Sequence, residues 1–210
     1  GIAVHPNWRR RGLGSQQLAT AISRANHLGA QQIVSSARSL NLPGKAFLEA
    51  RHFTPVGHNR FMKAPATTAL NTPQWPDGFT LQRYADIGDI SVLVDGSNGC
   101  YADMWGHREN TEPATVTHFQ QAIARSPDEY QPEGILIVFD PDRQIAGICF
   151  NRIEEDNRKV LDSPGVTPRY RHLELHRPLV QASMLWLNSQ AEGVYHLDTW
   201  GDYDLAVNIY

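Results

Sequence analysis

The chain has 210 residues, of which 41% are hydrophobic and 20% charged, values of an ordinary folded protein that exclude a disordered chain. Its apolar runs, such as 134–139 and 145–150, are strand-sized and far short of the ~20 residues of a membrane helix, so no membrane partner is expected. A net charge of -3 disfavours nucleic acid as a partner, and two cysteines, Cys100 and Cys149, in no metal-like spacing point to a reducing cytoplasm.

Gly1 is not an initiator methionine and the first residues read as the end of a strand, so the chain is expected to start inside a larger protein; no signal peptide is visible. The turn Arg9-Arg10-Arg11-Gly12-Leu13-Gly14 hands over to a helix expected over 15–27. Leu18, Ile22 and Ala25 share one face of that helix, and Gly29 ends it. A strand is expected around 32–36, a helix around 45–51, and strands toward Met62. Residues 64–78, with Pro65, Pro73 and Pro76, have linker composition. Beyond them the patterns predict a strand over 79–84, an irregular helix over 87–106, and a helix over 114–125 behind Pro113. Strands over 135–139 and 145–153 are joined by Asp140-Pro-Asp-Arg143, a hairpin signal, and a strand over 160–166 follows.

That strand leads into a second copy of the opening. Val166-Thr-Pro-Arg-Tyr-Arg171 repeats Val4-His-Pro-Asn-Trp-Arg9 at an offset of 166 - 4 = 162. The offset holds for Pro6 and Pro168, Trp8 and Tyr170, Arg9 and Arg171, and Leu13 and Leu175. Val180, Met184 and Leu187 repeat the helix face, while Asn41 maps onto Tyr203 and Leu48 onto Tyr210. Generic α/β patterning does not require a constant offset through loops. Two tandem modules are therefore expected: residues 1–64 as the back half of the first, 65–78 as linker, and 79–210 as a second, truncated at its end. Sheet edges in such a layout must stay open, pair across the halves, or pair with another chain.

The turn at Arg9 to Gly14 carries the chemistry. Glycines adopt positive φ and let a ligand approach the backbone. The first four amides of a helix have no internal partner, the macrodipole adds positive charge, and arginines supply bidentate donors. Val4-x-Pro6 followed by Arg9-x-x-Gly12-x-Gly14 resembles the [Gln/Arg]-x-x-Gly-x-[Gly/Ala] motif of the GNAT acyltransferase superfamily, with Asn41 and Phe53 at the positions of its Asn-containing helix and Gly-Phe pair. The resemblance implies an α/β fold with a mixed sheet, and acetyl-CoA as co-substrate. Its pyrophosphate would be bound by Val4, Arg9, Arg10, Arg11, Gly12, Leu13, Gly14 and Ser15, with Asn41 also in the site. The implied reaction is direct attack of a small-molecule amine on the thioester, with an N–H around residues 2–4 as oxyanion donor. The oligomeric state is left open.

The second copy departs from the pattern. Glu174 and His176 stand where Gly12 and Gly14 stand; the glutamate would repel a pyrophosphate, and both side chains obstruct it. His172, Glu174 and His176 do not have the His-Glu-x-x-His spacing, and Pro178 suggests a later helix start, so no metal is expected. The resemblance places an acid tyrosine at Tyr210, where the first copy has Leu48. Asp162 is the base candidate, with an ordinary strand-end carboxylate as the alternative. Tyr101, Met104, Trp105 and His107 either form an acceptor pocket or pack on the sheet, packing being favoured. Trp200, Asp202 and Asp204 would favour a cationic amine. The competing reading of the whole chain is a degenerate binding or scaffolding module.

Overall fold

The computed structural model describes residues 2–65, 67, 69–104, 113–154 and 156–200. The chain forms two compact units, Gly1–Pro55 and Val56–Tyr210.

In the first unit a 3-10 turn, Pro6–Trp8, precedes helices α1 (Leu13–His27) and α2 (Leu42–Glu49). Helix α1 follows Gly12 at φ 83 and ends at Leu28, with Arg24 and His27 in its last turn against the negative end of the dipole. Its buried residue is Leu18, from the face the periodicity marks. Helix α2 begins with Pro43 in its first turn, where a missing N–H costs nothing. Asn41 caps it, its Oδ1 accepting from the Gly44 amide at 3.1 Å.

Two expectations fail here. Neither residues 2–5 nor 32–36 form a strand. Val34 is 54% exposed, and none of the described ladders includes these segments. A β-rich sequence becomes a strand only when a neighbouring backbone takes up its N–H and C=O groups.

In the second unit the six described strands are β1 (Asn59–Ala64), β2 (Thr80–Arg83), β3 (Ile135–Phe139), β4 (Ile145–Ile153), β5 (Lys159–Val166) and β6 (Tyr195–Trp200). They form one sheet in the order β1-β6-β5-β4-β3-β2. Every pair is antiparallel except β5 with β6. The helices are α3 (Tyr84–Ile87), α4 (Ile90–Tyr101), α5 (Val116–Arg125) and α6 (His176–Gln190). Helix α6 is the crossover that a parallel connection demands.

Strand β3 is buried throughout, and its side chains divide with period two between two cores. Leu136 and Val138 pack with Leu175, Leu179 and Leu187 around α6. Ile135, Ile137 and Phe139 pack with Leu93 and Phe119 of α4 and α5. Helices thus cover both faces of the sheet. Asp140 fixes the β3–β4 hairpin by accepting from the amides of Asp142 (2.9 Å) and Gln144 (2.7 Å), and the Tyr170 hydroxyl donates to its other oxygen. The expected strand toward Met62 is present as β1, and it pairs with β6 from Asn59↔Trp200 to Ala64↔Tyr195.

Strands β5 and β6 pair from Lys159↔Tyr195 to Asp162↔Asp198. Beyond Asp162, Gly165 and Val166 keep β4 as their partner, so β5 and β6 part at that point. Among the described residues no helix is long and apolar enough to cross a membrane.

Candidate cofactor site

The loop before α1 is built by local hydrogen bonds. The Trp8 amide donates to His5 O at 2.9 Å and the Arg9 amide to Pro6 O at 3.2 Å. Arg9 Nε reaches back to Val4 O at 3.1 Å. Arg10 at φ 64 and Gly12 at φ 83 then curl the backbone. The next internal bond runs from the Gln16 amide to Gly12 O at 3.1 Å. Between these points, among the described residues, the amides of Arg10 through Ser15 have no acceptor. Helix α1 has no side-chain N-cap and no acidic residue in its first turn, so its positive end is uncompensated.

The two glycines differ in role. A Cβ at Gly12 would meet nothing within 4 Å, so glycine is needed there for its positive φ and leaves the approach open. A Cβ at Gly14 would lie 3.4 Å from Phe47 Cε2 and 3.7 Å from Val4 Cγ2, so Gly14 faces these two side chains where Gly12 faces open space. The Arg11 guanidinium lies over the Trp8 ring at 4.8 Å. Leu13, Gln16, Gln17 and Thr20 line an open depression of about 420 Å³ along α1. Asn41 uses its Oδ1 for the α2 cap. Sequence reasoning missed Arg51, whose Nη2 donates to Ser15 Oγ at 2.6 Å; no local pattern links residues so far apart.

The second copy has the same skeleton. Its 3-10 helix spans Pro168–Leu173, and Arg171 Nε donates to Val166 O at 3.1 Å, repeating the Arg9 bond at the same offset. Glu174, at φ 52, takes the left-handed place of Gly12. Here, however, the Glu174 amide donates to Arg171 O at 3.1 Å and the Arg177 amide to Glu174 O at 3.0 Å. Arg171 also grips Asp103 at 2.6 and 2.7 Å and donates to Cys100 O at 3.2 Å. His176 stands at the Gly14 position, 0% exposed, its pKa pushed down to about 4 by burial and, secondarily, by Arg171. Helix α6 starts at His176, earlier than Pro178 suggested, because a proline in the first turn removes a donor that has no partner anyway. Among the described residues no group of three His, Cys, Asp or Glu is placed to hold a metal.

Asp162 forms an ion pair with Arg152 Nη1 at 2.8 Å, with its side chain 41% exposed. Opposite it on β6 stands Asp198, which sequence reasoning missed. Burial first, and then the charge of Asp162, raise the Asp198 pKa against the opposing pull of Arg152. Tyr101 and Met104 are buried among Leu93 and Phe119, which is the packing reading. Trp200 ends β6. Tyr203, Tyr210, Trp105, His107, Asp202 and Asp204 lie outside the described residues.

Residues 1–53 match the model of the acetyltransferase (GNAT) family. The chain is similar in structure to a GCN5-related N-acetyltransferase from Sphaerobacter thermophilus, with a TM-score of 0.74 and 17% identity, over 94% of this chain and 62% of that one. This is a GNAT fold. A tandem GNAT protein from the clavulanic acid biosynthesis pathway shares it at a TM-score of 0.60 and 14% identity, over 98% of this chain and 67% of that one. Among curated proteins, the mycothiol acetyltransferase of Saccharopolyspora erythraea is 22% identical over 100% of this chain and 70% of its own length. That of Tsukamurella paurometabola is 30% identical over 57% of this chain and 41% of its own length. The chain thus spans only part of each relative, 64% in the Arthrobacter mycothiol acetyltransferase.

Proposed function

We propose that this GNAT-fold chain is part of an acyltransferase that moves an acetyl group from acetyl-CoA to an amine of a small molecule. The observation that supports it is the run of amides from Arg10 to Ser15 with no internal acceptor among the described residues, at an uncapped helix start, inside the segment that matches the GNAT family. A diphosphate satisfies such donors and the dipole at once. In this reading Val4, Arg9, Arg10, Arg11, Gly12, Leu13, Gly14 and Ser15 bind the diphosphate, with Asn41 also in the site. Residues 1–64 are the back half of a first GNAT module, 65–78 a linker, and 79–210 a second module with a degenerate loop. The relatives named mycothiol acetyltransferases favour a small-molecule acceptor.

Bound acetyl-CoA would supply the activated acyl carbon. Each copy would need an N–H for the oxyanion, a carboxylate to accept the amine proton and an acid to return a proton to the departing thiolate; the first copy offers the N–H, near residues 2–4. Asp162 and Tyr210 are the residues assigned to the last two tasks in the second module. The raised pKa of Asp198 makes it a second candidate base beside Asp162, since a catalytic base works best with a pKa nearer the working pH.

The scaffolding alternative draws on the second copy, where Glu174 and Arg177 amides already have acceptors, and on Leu48, which cannot donate a proton. Calorimetric titration of acetyl-CoA into the chain and into Gly12→Val separates the two. At φ 83 a β-branched residue is strained, by roughly 1–2 kcal/mol for the loop, and its bulk enters the open approach. Saturable binding that weakens at least about tenfold in the variant supports the co-substrate site; a flat wild-type titration supports the scaffold.

A further inference from the structure

Arg51 follows α2 and sits behind the amide cup of the same unit. Its guanidinium is fixed at three points: Nη1 donates to Phe47 O at 2.9 Å, the plane lies over the Phe47 ring at 3.8 Å, and Nη2 donates to Ser15 Oγ at 2.6 Å. Phe47 is also the nearest side chain that a Cβ at Gly14 would meet, at 3.4 Å, so the ring under the arginine also faces the start of α1. Among the described residues no carboxylate pairs with Arg51.

Guanidinium is a donor only, so Ser15 Oγ must act as the acceptor in this bond. A serine in a helix can donate its hydrogen to a carbonyl one turn earlier. Thr20 does this, donating to Gln16 O at 3.0 Å. Ser15 has no such bond among the described residues, and its hydroxyl stands at the end of the run of amides without acceptors.

We propose that Arg51 is a positioning residue of the diphosphate site: by occupying a lone pair of Ser15 Oγ it reserves the Ser15 hydrogen as a further donor to bound diphosphate. This rests on the acetyl-CoA reading of the loop. The residue acts through Ser15 and needs no contact with the ligand.

The test is a double-mutant cycle with acetyl-CoA and, separately, inorganic pyrophosphate as titrants. Wild type, Ser15→Ala, Arg51→Ala and the double variant are measured by calorimetry, with thermal unfolding of each unliganded protein alongside. A hydrogen bond to a charged group is worth about tenfold in affinity. Ser15→Ala is expected to lose about that much, and Arg51→Ala a similar amount in the wild-type background but less than about threefold in the Ser15→Ala background. Ser15→Thr, which keeps the hydroxyl, restores the sensitivity to Arg51→Ala. If Arg51→Ala does not fold, Arg51→Met keeps the stem over Phe47 and is read in its place. Unchanged affinity in Arg51→Ala, or the same loss in both backgrounds, overturns the positioning role while leaving the acetyl-CoA reading intact. A wild type that binds neither titrant overturns both.

Discussion

Positive φ at a non-glycine residue is the clearest single-residue signal in this chain. His52 has φ 64 just past α2, where its amide donates to Glu49 O at 3.0 Å and the Phe53 amide to Leu48 O at 3.2 Å. This is the left-handed closure that helices usually give to glycine, and the GNAT resemblance has glycine before the phenylalanine. His52→Gly is therefore expected to stabilise the first unit by about 1 kcal/mol, read as a higher urea midpoint; a lower midpoint would show that the imidazole makes a compensating contact. Arg10 has the same φ but a different consequence, because there the strain keeps the curl of the cup.

At the scale of elements, the two strand-turn-helix copies share a skeleton and differ in what surrounds it. Arg9 and Arg171 make the same bond to Val4 O and Val166 O, yet only Arg171 also holds Asp103 and Cys100 O. Replacing Arg171 by alanine should destabilise the second unit by about 2 kcal/mol, whereas Arg9→Ala should cost under about 1 kcal/mol of stability and act mainly on acetyl-CoA affinity. Equal effects on folding would contradict this division. The expected strand at 32–36 and the observed β1 make a related contrast. Ile33 and Val34 have β-branched propensity without a ladder, while β1, mostly exposed, is a strand because the edge of β6 is available. Strand formation is settled by the neighbour more than by propensity.

For the molecule as a whole, packing sets the ionisation of groups far apart in sequence. His176 is held neutral where α6 meets the sheet, its pKa lowered from 6.5 to about 4. Because the folded value lies below the unfolded one, the unfolded chain binds the extra proton first as pH falls. Stability of the second unit is therefore full above pH 6.5 and declines toward pH 4, by roughly 3 kcal/mol in all. Urea unfolding at pH 7.5 and 5 should show the loss in wild type and little of it in His176→Leu. An equal slope in both proteins would assign the acid sensitivity to other groups. Asp198 illustrates the same dependence, since only the parallel β5–β6 crossover brings it beside Asp162.

By itself the sequence determined the repeat at its constant offset, the hairpin at Asp140, the loop glycines and most helices, because these depend on contacts within a few residues. The strand at β3 was equally readable as a short continuous apolar run, since a strand covered on both faces needs apolar side chains at every position. Only the tertiary structure decided that β1 pairs with β6, that Asp198 joins Asp162, and that Arg51 holds Ser15. It also decided which loop amides already have acceptors, so that two copies with one backbone skeleton end as one open cup and one closed turn. Those outcomes rest on hydrogen bonds between distant segments, whose partners no local pattern of residues specifies.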